Sequence, residues 1–164
     1  MRHAESARPA ELPDAAGYRF AVVVARFNAA ITDRLCAGAR EALAAAGAAE
    51  GDVDVFQVPG AFEIPQAARA AAEAGQYDAV ICLGCLIRGE TPHFDYISSA
   101  VAHGIQEASG ETGVPMAFGV LTTDTWEQAE ARVPDGPGNK GFEAAAAAIE
   151  MAALVRRLRA GARP

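Results

Sequence analysis

Four short, mainly apolar runs set the limits on what this chain can become: Phe20–Phe27, Val53–Val58, Asp78–Ile87 and Val114–Leu121. The first and third are nearly unbroken and rich in β-branched residues, the pattern of strands covered on both faces. Their starts recur at roughly thirty residues, the length of a βαβ unit. Between them lie segments of helical composition: Asn28–Gly47, with Ile31, Leu35 and Leu43 and a terminal glycine, then Phe62–Gly75, then Pro92 to about Ser109. Pro65 fits the second of these because it falls in the first turn, where no intrahelical bond is lost. A short helix near Thr125–Val133 and a long alanine-rich one over Lys140–Arg159 complete the series. This alternation predicts an α/β fold: a four-stranded parallel sheet with right-handed crossovers and helices on both faces. Residues 17–160 read as a single domain. Residues 1–16 lack any period and read as an N-terminal arm that orders on a partner; residues 161–164 are a C-terminal tail.

A chain of 164 residues, 51% hydrophobic, can bury a core of its own. Its formal charge of −7 argues against a nucleic-acid or anionic-membrane binder. An anionic small molecule stays compatible, because a few local donors outweigh a screened net charge. The start of the chain has early Glu and Pro and no apolar stretch of the secretory kind, and no run reaches the ~18 apolar residues of a spanning helix. Three cysteines, an odd number, fit a reducing compartment, so a cytoplasmic location is expected.

The stretch Ala79–Tyr96 carries the strongest hint of chemistry. It opens as a buried strand and closes on Gly-Glu-Thr-Pro-His, which reads as a helix start with Thr91 as cap and Pro92 at the first helical position. His93 then sits in the first turn, beyond the carboxyl end of a strand, where open α/β sheets bind ligands and where free amides attract phosphate. In a parallel sheet the other strand ends gather at that same edge: Arg26-Phe27-Asn28, Pro59 to Glu63, and Leu121-Thr122-Thr123. Together they predict a flat-ring binder, with Phe27 as platform and Glu63 as hydrogen-bond acceptor, beside an anion cradle at Gly89 to Thr91. Taken singly each residue has a plainer reading. A Phe at a strand end is more often core, and a Glu in a first helical turn is usually a dipole partner.

Other residues of chemical interest resolve differently. Cys82 and Cys85 have the spacing of a redox pair, yet they lie inside a strand, where three residues span about 10 Å. A disulfide needs Cα atoms within roughly 7 Å, so buried packing is the better account of Cys82. With no second cysteine pair and no suitably spaced histidines nearby, no metal site is expected. His3 lies in the arm, and His103 falls in mid-helix, a surface or interface position; His93 alone is near the ligand edge. Gly136–Gly141 lacks the P-loop pattern and reads as a linker between helices. Arg132 and Lys140 flank it, and an arginine fork suits phosphate.

Four segments in register carry a family resemblance: Arg-Phe-Asn at 26–28, Pro-Gly-Ala-Phe-Glu-Ile-Pro at 59–65, Leu-Ile-Arg-Gly-Glu-Thr-Pro-His-Phe-Asp-Tyr at 86–96, and Gly-Asn-Lys-Gly-Phe-Glu-Ala-Ala at 138–145. In order and approximate spacing, over roughly Tyr18–Leu158, they resemble the lumazine synthase family of riboflavin biosynthesis. That resemblance implies a flavodoxin-like three-layer sandwich and an enzyme without metal or organic cofactor. Its reaction would condense 5-amino-6-(D-ribitylamino)uracil with 3,4-dihydroxy-2-butanone 4-phosphate, releasing phosphate and water. By motif, Phe27 would stack on the pyrimidine, and the backbone of Ala61 and Phe62 and the carboxylate of Glu63 would hold the ribityl side. Cys85, Leu86 and Ile87 would offer main-chain contacts, Glu90, Thr91 and Arg132 would bind the phosphate, and His93 would move protons. Phe118 would close the pocket from a neighbouring subunit. The family forms homopentamers, some closing into 60-subunit icosahedral shells, and riboflavin synthase is the protein partner it suggests. The loop 133–137, with two prolines and Asp135 close to Arg132, departs from the pattern, as does the sixteen-residue start. Two alternatives stand beside the enzyme: a paralogue that binds a lumazine or flavin without turnover, and a structural shell component.

Overall fold

The computed structural model describes residues 11–164. Its sheet has four strands, β1 (Phe20–Ala25), β2 (Val53–Val58), β3 (Ala79–Ile87) and β4 (Met116–Thr123), all parallel and ordered β2-β1-β3-β4. Helices α1 (Ala29–Ala45) and α5 (Lys140–Arg159) cover one face, where Phe20, Val22, Val24, Ile81 and Leu83 meet Ile31, Leu35 and Ile149. Helices α2 (Ile64–Glu73) and α3 (His93–Thr112) cover the other, where Ala21, Val23, Val80, Cys82 and Val120 meet Ile64, Ala68, Val101 and Ile105. A short α4 (Trp126–Glu130) joins β4 to α5. Side chains that alternate along a strand thus find a dry partner on either side, which is why β1 and β3 tolerate no polar residue. The three-layer, all-parallel arrangement is the flavodoxin-like fold the strand spacing and the motifs lead one to expect. No helix among the described residues is long and apolar enough to cross a membrane.

The segment after β3 differs from expectation in one detail. Thr91 does not cap α3; the cap position is Pro92, and no side chain bonds the first-turn amides. Proline's fixed φ (−69° here) already suits a helix entry, and its carbonyl accepts from the amides of Asp95 (3.1 Å) and Tyr96 (3.4 Å). Thr91 is therefore one residue too early to cap. Helix α4 also stops at Glu130, short of the expected Val133, because the chain tightens into i→i+3 bonds that bury Val133 completely.

Residues 11–16 make contacts within their own chain. Ala15 is buried, its amide bonds the carbonyl of Ala46 at 2.8 Å, and Leu12 packs on the same core. The remainder of the expected arm, residues 1–10, lies outside the described residues.

The segment expected to be a linker, Gly136–Gly141, is a clasp. Asn139 is buried and fully bonded. Its Oδ1 accepts from the amides of Gly141 (2.7 Å) and Phe142 (3.3 Å), capping α5, while its Nδ2 donates to the carbonyls of Arg34 and Pro134, both at 3.1 Å. α1 and α5 approach so closely here that a Cβ on Gly141 would enter the backbone of Leu35, and one on Gly38 would strike the Asn139 amide. Asn139→Ala removes the cap and the amide that ties the carbonyls of Arg34 and Pro134 together. It is expected to lower stability by ~2–3 kcal/mol, seen as a fall of roughly 5–10 °C in unfolding temperature. Gly141→Ala should cost at least as much, whereas a change within experimental error for both would remove the clasp from the stability of the fold.

Candidate active site

Where β1 meets β3 the sheet opens. Their pairing ends at Val24 with Leu83, yet β3 runs on to Ile87 with only β4 beside it. The chain after β1 instead follows β2, with the Arg26 amide on the Val58 carbonyl (2.8 Å) and the Phe27 amide on that of Pro59 (3.1 Å). Helix α1 then leaves to one face, while α3, following β3, leaves to the other. This is the topological switch point of the sheet, the place where doubly wound folds form a crevice. A cleft of about 520 Å³ lies there, lined by residues that include Phe27, Ala61, Phe62, Glu63, Cys85, Leu86, Ile87, Thr91 and His93.

Each lining residue is held by local structure. Phe27 is 69% exposed at the end of β1, and Phe62 is 62% exposed. Both aromatic rings thus keep much of their surface in solvent. Glu63 ends a single 3-10 turn (Ala61–Glu63), and its Oε2 accepts from the Gly60 amide at 3.0 Å, fixing the carboxylate. The dipole-partner reading of Glu63 therefore holds for one oxygen, and the other has no protein donor among the described residues. Ala61 and Ile64 can seat directly on β3 because residue 84 is glycine: a Cβ there would lie 3.1 Å from Ile64 Cδ1 and 3.5 Å from Ala61 Cβ.

The β3 edge supplies backbone groups. Arg88 bonds β4 through its amide (to the Thr123 carbonyl, 2.9 Å), and successive residues of a strand turn their peptide groups to opposite sides. Cys85 and Ile87 accordingly present theirs to the cleft, and the Cys85 carbonyl is taken by Asn28 Nδ2 at 2.9 Å. Burial pushes the Cys85 thiol up to about 11 and that of Cys82 to about 12, so both stay neutral at ordinary pH and neither serves as a nucleophile. Both are free thiols, in line with the geometric argument against a redox pair.

His93 opens α3 and lines the cleft. No protein group among the described residues bonds its ring, which leaves both nitrogens for a ligand. His103, by contrast, is exposed and tied by Nδ1 to the Ser99 carbonyl of its own helix at 2.8 Å. The amides of Gly89, Glu90 and Thr91 have no protein acceptor among the described residues, and those of His93 and Phe94 lie too early in α3 to find one. Open N–H donors on a loop that reaches the cleft thus share its lining with an imidazole and an aromatic ring, residue types able to hold an anion and move protons next to a flat ring.

Three expected residues are not brought into this cleft. Glu90 belongs to the loop but does not line the cavity. Phe118 lies midway along β4, opposite Cys82 in register and so three residues, about 10 Å, short of the Cys85 level; it is 49% exposed. Arg132 sits beyond α4 with its Nη1 on the Gln128 carbonyl at 2.8 Å. Conversely, Phe94 and Ile97 line the cleft without having been singled out, although Ile97 follows His93 by one helical turn and shares its face. Asn28 is the further addition. It is the one non-glycine with positive φ (61°) among the described residues, a conformation that asparagine adopts more readily than most.

Residues 17–156 match the family model described as 6,7-dimethyl-8-ribityllumazine synthase. The match spans the whole sheet and every lining residue of the cleft, from Phe27 to Ile97. The chain belongs to the lumazine synthase family of riboflavin biosynthesis.

Proposed function

We propose that the protein is the transferase that condenses 5-amino-6-(D-ribitylamino)uracil with 3,4-dihydroxy-2-butanone 4-phosphate to 6,7-dimethyl-8-ribityllumazine, releasing phosphate and water. The observation that carries this reading is the convergence, in one cleft, of a ring platform, a fixed carboxylate, unsatisfied amides and a free imidazole. Phe27 stacks on the pyrimidine, and the peptide groups of Cys85 and Ile87 meet its polar edge, while Leu86, whose peptide groups face β4, lines the cleft. The backbone of Ala61 and Phe62, with the open oxygen of Glu63, holds the ribityl hydroxyls. The phosphate lies against the loop at Glu90 and Thr91. Glu90 acts there through its main chain, because its carboxylate would repel the anion.

Chemistry then follows from alignment. The pyrimidine amine attacks the butanone carbonyl, water leaves to give an imine, phosphate is eliminated, and the ribitylamino nitrogen closes the ring with loss of water. Each step moves a proton, and His93 is the side chain placed to relay it. Holding two substrates in contact lowers the barrier further by removing the cost of their encounter. No metal or organic cofactor is needed for such steps.

Phe118 and Arg132 lie outside the cleft of their own chain, and the half-exposed Phe118 ring offers an apolar surface for another copy. We assign both to the site of a neighbouring subunit, which makes the working form a homo-oligomer, in our reading a pentamer in the cytoplasm. Riboflavin synthase, which consumes the product, is the candidate protein partner.

Mixing both substrates with the protein should produce fluorescent lumazine and free phosphate well above the uncatalysed rate; folded protein with no acceleration would contradict the reading. A yellow ligand that copurifies without turnover would instead point to the binding paralogue. His93→Ala is expected to lower kcat by roughly 10²-fold, the low end for a positioned acid–base group, with little change in substrate affinity. An unchanged kcat removes His93 from the mechanism. Arg132→Ala should raise KM for the phosphorylated substrate by about tenfold while sparing KM for the pyrimidine, and equal KM values in variant and parent would dismiss the assigned contact.

A further inference from the structure

The loop that runs from β3 to α3 has no regular structure and is exposed from Arg88 to His93. Its backbone is anchored at its two ends only, by the Arg88 amide on Thr123 and by the first turn of α3 closing on the Pro92 carbonyl. Between these points nothing in the main chain sets the span of the loop, yet the open amides of Gly89, Glu90 and Thr91 must keep a fixed distance from His93 to act together. The side chain of Arg88 supplies the missing constraint. Its Nη1 donates to both carboxylate oxygens of Asp95 (3.1 and 3.2 Å), and its Nε donates to Asp124 Oδ1 at 2.9 Å. The guanidinium also lies 4.5 Å from the ring centre of Phe94, a cleft residue adjacent to His93. One planar fork thus joins the start of the loop, the first turn of α3 and the turn after β4.

We propose that Arg88 is a positioning residue for the phosphorylated substrate: it closes the loop that its own backbone opens, and it neutralises Asp95 and Asp124 beside the anion site. The inference rests on the condensation reading and adds to it the device that shapes its phosphate side. An exposed ion pair taken alone contributes little, but a fork with two carboxylates and an aromatic face is a network acting on one short segment. A displacement of about 1 Å in a binding group is enough to cost a large factor in productive alignment. Without the arginine, two uncovered carboxylates would also stand within a Debye length, ~8–10 Å, of the loop and repel a dianion. Both effects act at the loop and not at Phe27 or Glu63, so the pyrimidine should be spared. Arg88 touches neither substrate in this scheme.

The test compares full-length wild type with Arg88→Ala, Arg88→Lys and Asp124→Asn. Both KM values and kcat would be measured, with inorganic phosphate binding by calorimetry and thermal unfolding alongside. Arg88→Ala is expected to raise KM for the phosphorylated substrate and weaken phosphate binding by about tenfold, with KM for the pyrimidine within about twofold. Lysine keeps the charge without the fork and should recover part of the loss. Arg88→Lys should still raise the KM for the phosphorylated substrate above that of wild type, and it serves as the deciding variant if Arg88→Ala does not fold. Asp124→Asn loosens the fork but also removes a repelling carboxylate, and should change that KM by no more than Arg88→Lys does. An unaltered KM for the phosphorylated substrate overturns the proposal. So does a loss shared equally by both substrates together with a lowered unfolding temperature, the signature of a merely structural role. If wild type shows no turnover, the condensation reading fails by itself. The phosphate titration then still decides, since equal affinity in wild type and Arg88→Ala, or none in either, also overturns the role given to Arg88.

Discussion

The parting of β1 from β3 is the constraint on which the remaining structure depends. For five residue pairs the two strands share a ladder, from Phe20 with Ala79 to Val24 with Leu83. Then β1 turns at Asn28 while β3 continues. Peptide groups that would ordinarily satisfy a neighbour are left facing a gap, and one of them, the Cys85 carbonyl, is met by the Asn28 side chain. That bond spans the gap between the two segments. Leaving backbone donors and acceptors without partners is costly in a buried sheet, so the edge is tolerable only where water or a ligand can reach it. A binding crevice is therefore what the topology yields before any catalytic residue is considered.

The walls of the crevice are rigid for reasons that lie in the packing. Residue 84 lacks a side chain, and the start of α2 sits on β3 as a result; residue 104 lacks one too, and α3 crosses close to Pro65, which would lie 2.9 Å from a Cβ there. The first approach seats the start of α2, which carries Glu63, on β3, and the second seats α3, which carries His93, on α2. The loop from β3 to α3 is the exception, since it is exposed and its span depends on charged surface contacts. Packing restraint at Glu63 and electrostatic restraint at the loop would suit the proposed reaction, in which the flat partner stays and phosphate departs.

Much of this was legible in the residues. Apolar runs with a βαβ spacing are read directly as a parallel sheet, and a parallel sheet places all strand ends on one edge. The coincidence of Phe27, Glu63 and His93 follows from topology alone. What could not be read depended on contacts between distant residues. Asn139 looks like a loop asparagine until its amide is seen on the carbonyl of Arg34, 105 positions away. Arg88 looks like a solvated charge until its partners, 7 and 36 residues on, are placed around it. Thr91 was expected as a cap because threonine favours that position, but Pro92 met the same need with its fixed dihedral. Phe118 and Arg132 show the remaining limit, for the geometry of a single chain leaves both outside the cleft to which their motifs assign them.

The most direct test of the central claim, that the crevice between β1 and β3 is where the two substrates meet, is a structure of the protein with 5-amino-6-(D-ribitylamino)uracil and inorganic phosphate bound. The account predicts the pyrimidine against Phe27, the ribityl chain along Ala61 to Glu63, and phosphate at Gly89 to Thr91 beside His93. Density for the pyrimidine at any other surface, or phosphate remote from His93, would contradict it.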